Sequence, residues 1–252
     1  MDHTKLIDQP DSSMGKVMTI LASTANELAE SGFVPDRLIR SGIRRLCATR
    51  RDEISGQNGK ELNEFVEMMK SSPVALVPDL ANEQHYEVPA AFFDQVLGVH
   101  RKYSCCYWGG GVTNLDEAEQ ASLEITCHRA KIRDGMKVLD LGCGWGSLSL
   151  WIASHYPNCA VTSVSNSASQ RKFILGEAAS LGLTNLNVIT ADMNDFSIDQ
   201  RFDRVVSVEM FEHMRNYSEL FERISGWLND DGLFFMHIFC HKSAAYEYED
   251  RG

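Results

Sequence analysis

The apolar positions of the chain change their period near its middle. Over residues 16–29 and again over 35–51 they recur at helical spacing, as at Leu38, Ile39, Ile43 and Leu46. The stretch SGQNG (Ser55 to Gly59) interrupts the pattern, ELNEFVEMMKSS restores it, and Pro73 and Pro78 mark a connection. Beyond residue 115, helix and strand alternate. LDEAEQASLEITCHRAKI reads as a helix, with Asn114 as its N-cap and Asp116 and Glu117 at the positive end of its dipole. Four apolar strands follow, KVLDLG, AVTSVS, LNVITAD and FDRVVSVEM, and a fifth, LFFMHIF, comes after the turn signal NDDG. Helical segments at 146–154, 168–181 and 214–228 separate them. Such alternation with short connections predicts an α/β fold, a doubly wound parallel sheet covered on both faces, behind a helical N-terminal region.

A chain of 252 residues can bury a substantial core, and 44% hydrophobic with 23% charged residues is ordinary for a globular protein. A net charge of −11 argues against a nucleic-acid partner. No apolar run approaches the ~18 residues that cross a bilayer. The start, MDHTKLIDQPDSS, lacks the basic-then-apolar design of a secretory leader. Seven cysteines, an odd number, fit reduced thiols and a cytoplasmic location. One segment departs from the acidic background. From Arg37 to Arg51 the chain carries six arginines, either the solvated face of a helix or a peripheral contact for anionic lipid.

Candidate chemistry starts at VLDLGCGWGS (Val138 to Ser147), where an apolar strand ends in an acid and three alternating glycines. Glycines at the carboxyl end of a strand let the backbone approach a ligand and take positive φ. The spacing of Gly142, Gly144 and Gly146 leaves a dinucleotide fingerprint incomplete, and Trp145-Gly146-Ser147 lacks the lysine of a phosphate loop. Asp140, just before the loop, would repel a pyrophosphate and attract an ammonium group.

The loop resembles the first motif of class I S-adenosyl-L-methionine-dependent methyltransferases. The resemblance implies S-adenosylmethionine as cofactor, with Gly142 and Gly144 holding its methionine part and Asp140 its amino end. It also implies that Asp192 bonds the adenine amino group and that Met193 packs on the ring. The acid usual after the second strand is missing from VTSVSNSASQ, which leaves Asn166 and Gln170 for the ribose. Val208, in the fourth strand, completes the cofactor set. HYEVPAAFF, KYSCCYWGGG, GCGWG and FDRVVSVEMFEHM narrow the likeness to the cyclopropane-fatty-acid synthase superfamily, from about residue 84 onward. In that superfamily the segment matching Tyr103 and Ser104 closes over the cofactor, the serine bonding its carboxylate. The implied organisation is a helical region at 1–83, a cofactor-covering segment at 84–114 and a cofactor-binding domain at 115–252.

Two chemistries compete within the superfamily. The synthases methylate a lipid alkene with a bicarbonate base at positions matching Cys105, Glu212 and His237, and typically carry glycine where this chain has Glu209. The plant coclaurine N-methyltransferases instead carry E-x-x-E-H, as here at Glu209, Glu212 and His213, and a tail similar to HIFCHKSAAYEYED. This resemblance implies methyl transfer to a small amine, such as a benzylisoquinoline alkaloid. The chemistry agrees, because a secondary amine is largely protonated near neutral pH. Deprotonating it costs roughly 3–4 kcal/mol when its pKa lies two to three units above ambient. Two carboxylates can attract the ammonium form and a histidine can take the proton. Were the turn after the fourth strand helical, offsets i, i+3 and i+4 would put all three on one face. A carboxylate such as Glu209 in an apolar strand is expensive unless paired. Tyr107, Trp108 and Phe211 either box a cationic substrate or fill the core. No metal is expected, since Cys105-Cys106 with His237, Cys240 and His241 lacks zinc-site spacing.

Sheets of these methyltransferases normally follow the order 3-2-1-4-5-7-6, and only the first five strands are read here. A shortened chain leaves LFFMHIF as an aggregation-prone edge unless a partner or a second copy covers it. A non-catalytic, cofactor-binding remnant is therefore a third expectation beside amine and lipid methylation.

Overall fold

A computed structural model describes residues 28–55, 59–76, 90–242 and 244–245. Outside those residues lie all but the end of the helix expected over 16–29, the middle of SGQNG, Pro78, the start of HYEVPAAFF and most of the aromatic-acidic tail. Contacts divide the chain into two compact units, Met1–Phe65 with His241–Gly252, and Val66–Cys240. The first contains α1 (Asp36–Ser55), which buries no residue and exposes Leu38, Ile43 and Leu46. Its arginines pair locally, Arg40 with Asp36 at 3.6 Å and Arg50 with Glu53 at 3.0 Å. α2 (Gly59–Lys70) spans the division between the units. No helix of the described residues is long and apolar enough to cross a membrane.

In the second unit, α3 (Ala90–Val96) and α4 (Leu115–Arg129) precede the alternating part. Asn114 caps α4 as expected, accepting a hydrogen bond from the Glu117 N–H at 3.0 Å. Then come β1 (Lys137–Leu141), α5 (Ser147–His155), β2 (Ala160–Ser165), α6 (Ala168–Ser180), β3 (Leu186–Thr190), β4 (Phe202–Val208), α7 (Tyr217–Trp227) and β5 (Leu228–His237). The strands form one parallel sheet in the order β3-β2-β1-β4-β5.

Side chains of a strand alternate between the faces, so a sheet covered on both sides buries both sets. Val138, Val161 and Val206 pack with Leu123 and Cys127 of α4 and Ile152 of α5. Leu139, Leu141 and Val205 go to the other face, against Leu220, Ile224 and Trp227 of α7. This two-sided burial is what the continuous apolar strand runs encode.

Two boundaries differ from the sequence reading. The helix expected from residue 214 starts at Tyr217, because Asn216 caps it, accepting from the Glu219 N–H at 3.1 Å. The Asn216 amide also donates to the Lys70 and Ser72 carbonyls, both at 3.0 Å, which pins the segment after α2 beside this turn. NDDG is a bulge inside β5 rather than a turn before it. Phe202 pairs with Leu228 and Arg204 with Leu233, five steps along β5 against two along β4. The slack is taken up locally, where Asn229 donates to Asp203 at 2.9 Å and a Cβ on Gly232 would stand 2.8 Å from the Asn229 carbonyl.

Candidate functional site

The carboxyl ends of parallel strands, where ligands bind in open α/β sheets, gather the relevant residues on one edge. After β1 the chain turns through Gly142, Gly144 and Gly146, all with positive φ (75°, 53° and 80°). The Gly142 and Cys143 N–H groups both donate to the Val164 carbonyl at 3.0 Å, tying the loop to β2. Gly142 has a second reason to lack a side chain. A Cβ there would lie 2.7 Å from Met210 Cγ, so the glycine makes room for the turn after β4.

Asp140 is buried and accepts from the Ser149 hydroxyl at 2.5 Å, which in turn accepts from Ser163 at 2.6 Å. Burial pushes its carboxyl up to about 6, against the opposing pull of the Ser149 bond. A cavity brings Asp140 together with Tyr103, Ser104, Gly142, Gly144 and Val208, six positions read from the sequence. Asn166, Gln170, Asp192 and Met193 stand after β2 and β3, outside that lining. Gln170 is buried and accepts from Ser165 at 2.6 Å, while its amide nitrogen has no partner. Asp192 accepts from the Asn194 N–H at 2.8 Å, and Met193 packs into the core.

Two charged residues that the sequence reading passed over hold the segment above the cavity. Glu119 on α4 is fully buried, and its carboxylate accepts the N–H groups of Gly98 (2.8 Å), His100 (2.8 Å) and Lys102 (3.2 Å). Its signal was present, because it shares the buried stripe of Ser122, Leu123 and Thr126 at helical offsets. Lys102 is also buried, donating to the Ser104 hydroxyl at 2.5 Å and the Cys105 carbonyl at 2.7 Å. Burial lowers its pKa, opposed by the charges of the Cys106 and Cys105 thiolate forms and of Glu209 and Glu119.

The turn after β4 corrects the expectation of a helical face. Glu209 takes the left-handed region (φ 52°), as Arg101 and Lys131 do elsewhere, and Phe211–His213 forms a short 3₁₀ turn. Glu209 and Glu212 therefore turn to different partners. Glu209 accepts from the Cys105 N–H at 2.9 Å, Glu212 accepts from the Phe239 N–H at 2.7 Å, and His213 is exposed. The second Glu212 oxygen is buried without a partner. Cys105 and His237 are what close around Glu209. Cys105 Sγ lies 3.7 Å from His237 Nε2, and ligand-type atoms of all three residues fall within 4.8 Å of one another. Partial burial, then the hydrogen bond and charge of Glu209, push the Cys105 thiol up to about 11. Cys106, Cys240 and His241 take no part in that group. Phe211 is a core residue, fully buried against Tyr217, Phe221 and Phe234, so it cannot box a substrate. Tyr107 and Trp108 are exposed.

The model of a protein family described as mycolic acid cyclopropane synthetase matches residues 78–251. The (S)-coclaurine N-methyltransferase of Thalictrum flavum subsp. glaucum is 42% identical over 228 residues, covering 87% of this chain and 62% of that protein. The chain thus spans about three fifths of the length of that relative. A crystal structure of coclaurine N-methyltransferase bound to N-methylheliamine and SAH superposes with a TM-score of 0.86 at 38% identity, over 91% of this chain and 67% of the other. A mycolic acid cyclopropane synthase complexed with SAH and CTAB gives 0.58 at 29% identity, over 64% and 57%. The strand order, the glycine cradle and a family match running through both site turns have one reading: the chain belongs to the mycolic acid cyclopropane synthetase family.

Proposed function

We propose that this chain is the cofactor-binding and catalytic part of an S-adenosylmethionine-dependent N-methyltransferase acting on a small amine of the benzylisoquinoline type. The observation that carries the reading is Glu209. A glutamate in left-handed backbone costs about 1–2 kcal/mol relative to glycine, and this one stands with Cys105 and His237, one residue past Val208 of the cavity lining.

The residues present fit S-adenosylmethionine. Gly142 and Gly144 let the loop backbone approach its methionine part, and Asp140, held by Ser149, is an acceptor for its amino group. Ser104 already accepts from Lys102, which leaves its own O–H to donate to a carboxylate. The orphaned Gln170 amide is a donor for the ribose, with Asn166 beside it. Asp192 and Met193 are the adenine candidates. When bound, the cofactor supplies an electrophilic methyl group on its sulfonium.

The protein's part is to deliver a neutral amine. Glu209 draws in the ammonium form, and the unpartnered oxygen of Glu212 offers a second acceptor. His213, which is exposed, takes the proton and passes it to solvent. Fixed orientation of amine and methyl group supplies much of the remaining rate, out of the ~7–11 kcal/mol available from positioning. The relatives' names support the amine reading, since a coclaurine N-methyltransferase structure superposes more fully than a cyclopropane synthase.

A lipid-methylating reading draws on one observation, the approach of Cys105 to His237, two of the three positions implied for bicarbonate. Under it, the arginines of α1 would meet anionic headgroups. One assay separates the readings. With labelled cofactor and a panel of benzylisoquinoline amines, the amine reading expects methylated product, reduced roughly 10³-fold in Glu209→Ala while calorimetric cofactor binding survives. Bicarbonate-dependent methylation of unsaturated phospholipid, indifferent to Glu209, would replace it with the lipid reading. Absence of cofactor binding would overturn both enzyme readings.

A further inference from the structure

We infer that Cys105, Glu209 and His237 form a site for one zinc ion or a similar thiophilic divalent cation. The residues lie far apart in sequence and come from three segments, the strap above the cavity, the turn after β4 and the end of β5. Their separation of 3.7 Å between Sγ and Nε2 matches an edge of a zinc tetrahedron. With Zn–S at ~2.3 Å and Zn–N at ~2.05 Å, that edge is about 3.6 Å. The Glu209 carboxylate lies within 4.8 Å of both atoms, so modest side-chain rotation completes a third corner.

Backbone hydrogen bonds hold the three segments in this register. The Cys105 N–H donates to Glu209 at 2.9 Å, and the Glu209 N–H donates to the His237 carbonyl at 2.8 Å. Thiolate, imidazole and carboxylate together select zinc over magnesium or calcium, which prefer oxygen alone. Three protein ligands leave the fourth position for water or an incoming group. As the ion binds, the Zn–S bond forms, the S–H bond of Cys105 breaks, and the proton passes to buffer with no change of oxidation state. The raised Cys105 pKa makes that release a cost, and the nearby Lys102 ammonium, which favours the thiolate, offsets part of it. An ion here occupies Glu209. The inhibition of amine methylation that follows rests on the function proposed above, whereas the site itself does not.

The test uses the full chain with Cys47→Ser and Cys240→Ser, which remove two exposed thiols able to capture metal on their own. Titration with Co²⁺ should produce a thiolate-to-cobalt charge-transfer band that saturates at one equivalent and is displaced by zinc. Cys105→Ser should abolish the band. His237→Gln and Glu209→Gln should weaken zinc binding by more than the roughly 10–100-fold typical of losing an outer-shell partner. Cys106→Ser should leave it intact. Calorimetric binding of S-adenosylmethionine to each variant checks that the fold is kept. Lack of a band, or a band that survives Cys105→Ser in a folded variant, overturns the site. Methyl transfer to amines, assayed without metal, reports separately on the proposed function.

Discussion

The turn after β1 and the turn after β4 leave adjacent strands on the same edge of the sheet, and both enter the left-handed backbone region. The first does so with glycines, which adopt it freely, and the second with Glu209, which does not. Where glycine stands, the backbone itself is the working surface and a side chain would be in the way. Where glutamate stands under the same constraint, the carboxylate is what the site retains despite the strain. The two turns also interlock, because Met210, next to Glu209, occupies the space that a Cβ on Gly142 would need.

The largest effect should come from making the first turn resemble the second. Gly142→Ala combines a left-handed alanine with overpacking against Met210, together about 3–4 kcal/mol of stability. Urea unfolding should register that loss, and calorimetry should show weakened cofactor binding. A variant as stable as the parent would mean that the two turns do not press on each other.

The buried acid behind the glycine turn gives the next largest effect. Burial raises the Asp140 carboxyl from its ordinary 3.8 to about 6, so its ionisation opposes folding. That penalty is absent below about pH 4, grows between pH 4 and 6, and is complete above 6, reaching about 3 kcal/mol at ~1.4 kcal/mol per unit. Asp140→Asn should therefore unfold at a higher temperature than the parent at pH 7.5, with the gap closing toward pH 4. A gap independent of pH would remove Asp140 as its source. Cofactor affinity should fall as the pH drops through 6, as protonation cancels the charge offered to the amino group.

The smallest effect isolates the strain itself. Glu209→Gly and Glu209→Ala both lose the carboxylate and its bond to the Cys105 N–H, so their difference reports the backbone alone. The glycine variant should be more stable by about 1 kcal/mol, read from urea midpoints. Equal midpoints would show that the left-handed conformation at this position carries no strain.

Much of the architecture was legible along the chain. Strand runs such as KVLDLG and FDRVVSVEM are apolar on both faces, and the helices carry local caps such as Asn114. Local capping also explains a miss, since Asn216 starts α7 three residues later than periodicity suggested. NDDG reads as a turn from composition, yet it bulges within β5 because Asp203 on the neighbouring strand holds Asn229. A partner strand's influence has no trace in local composition.

The sequence by itself determined the parallel α/β framework, the glycine turn after β1 and the presence of Glu209 beyond β4, because these depend on residue type and short-range spacing. Tertiary structure decided which residues meet. Glu119 and Lys102 hold the strap, Gly142 yields to Met210, and Cys105 and His237 rather than Glu212 and His213 close on Glu209. The i, i+3, i+4 spacing makes no common face here. Such a face requires a helix, and one left-handed residue at 209 rotates the chain out of helical register before the pattern begins.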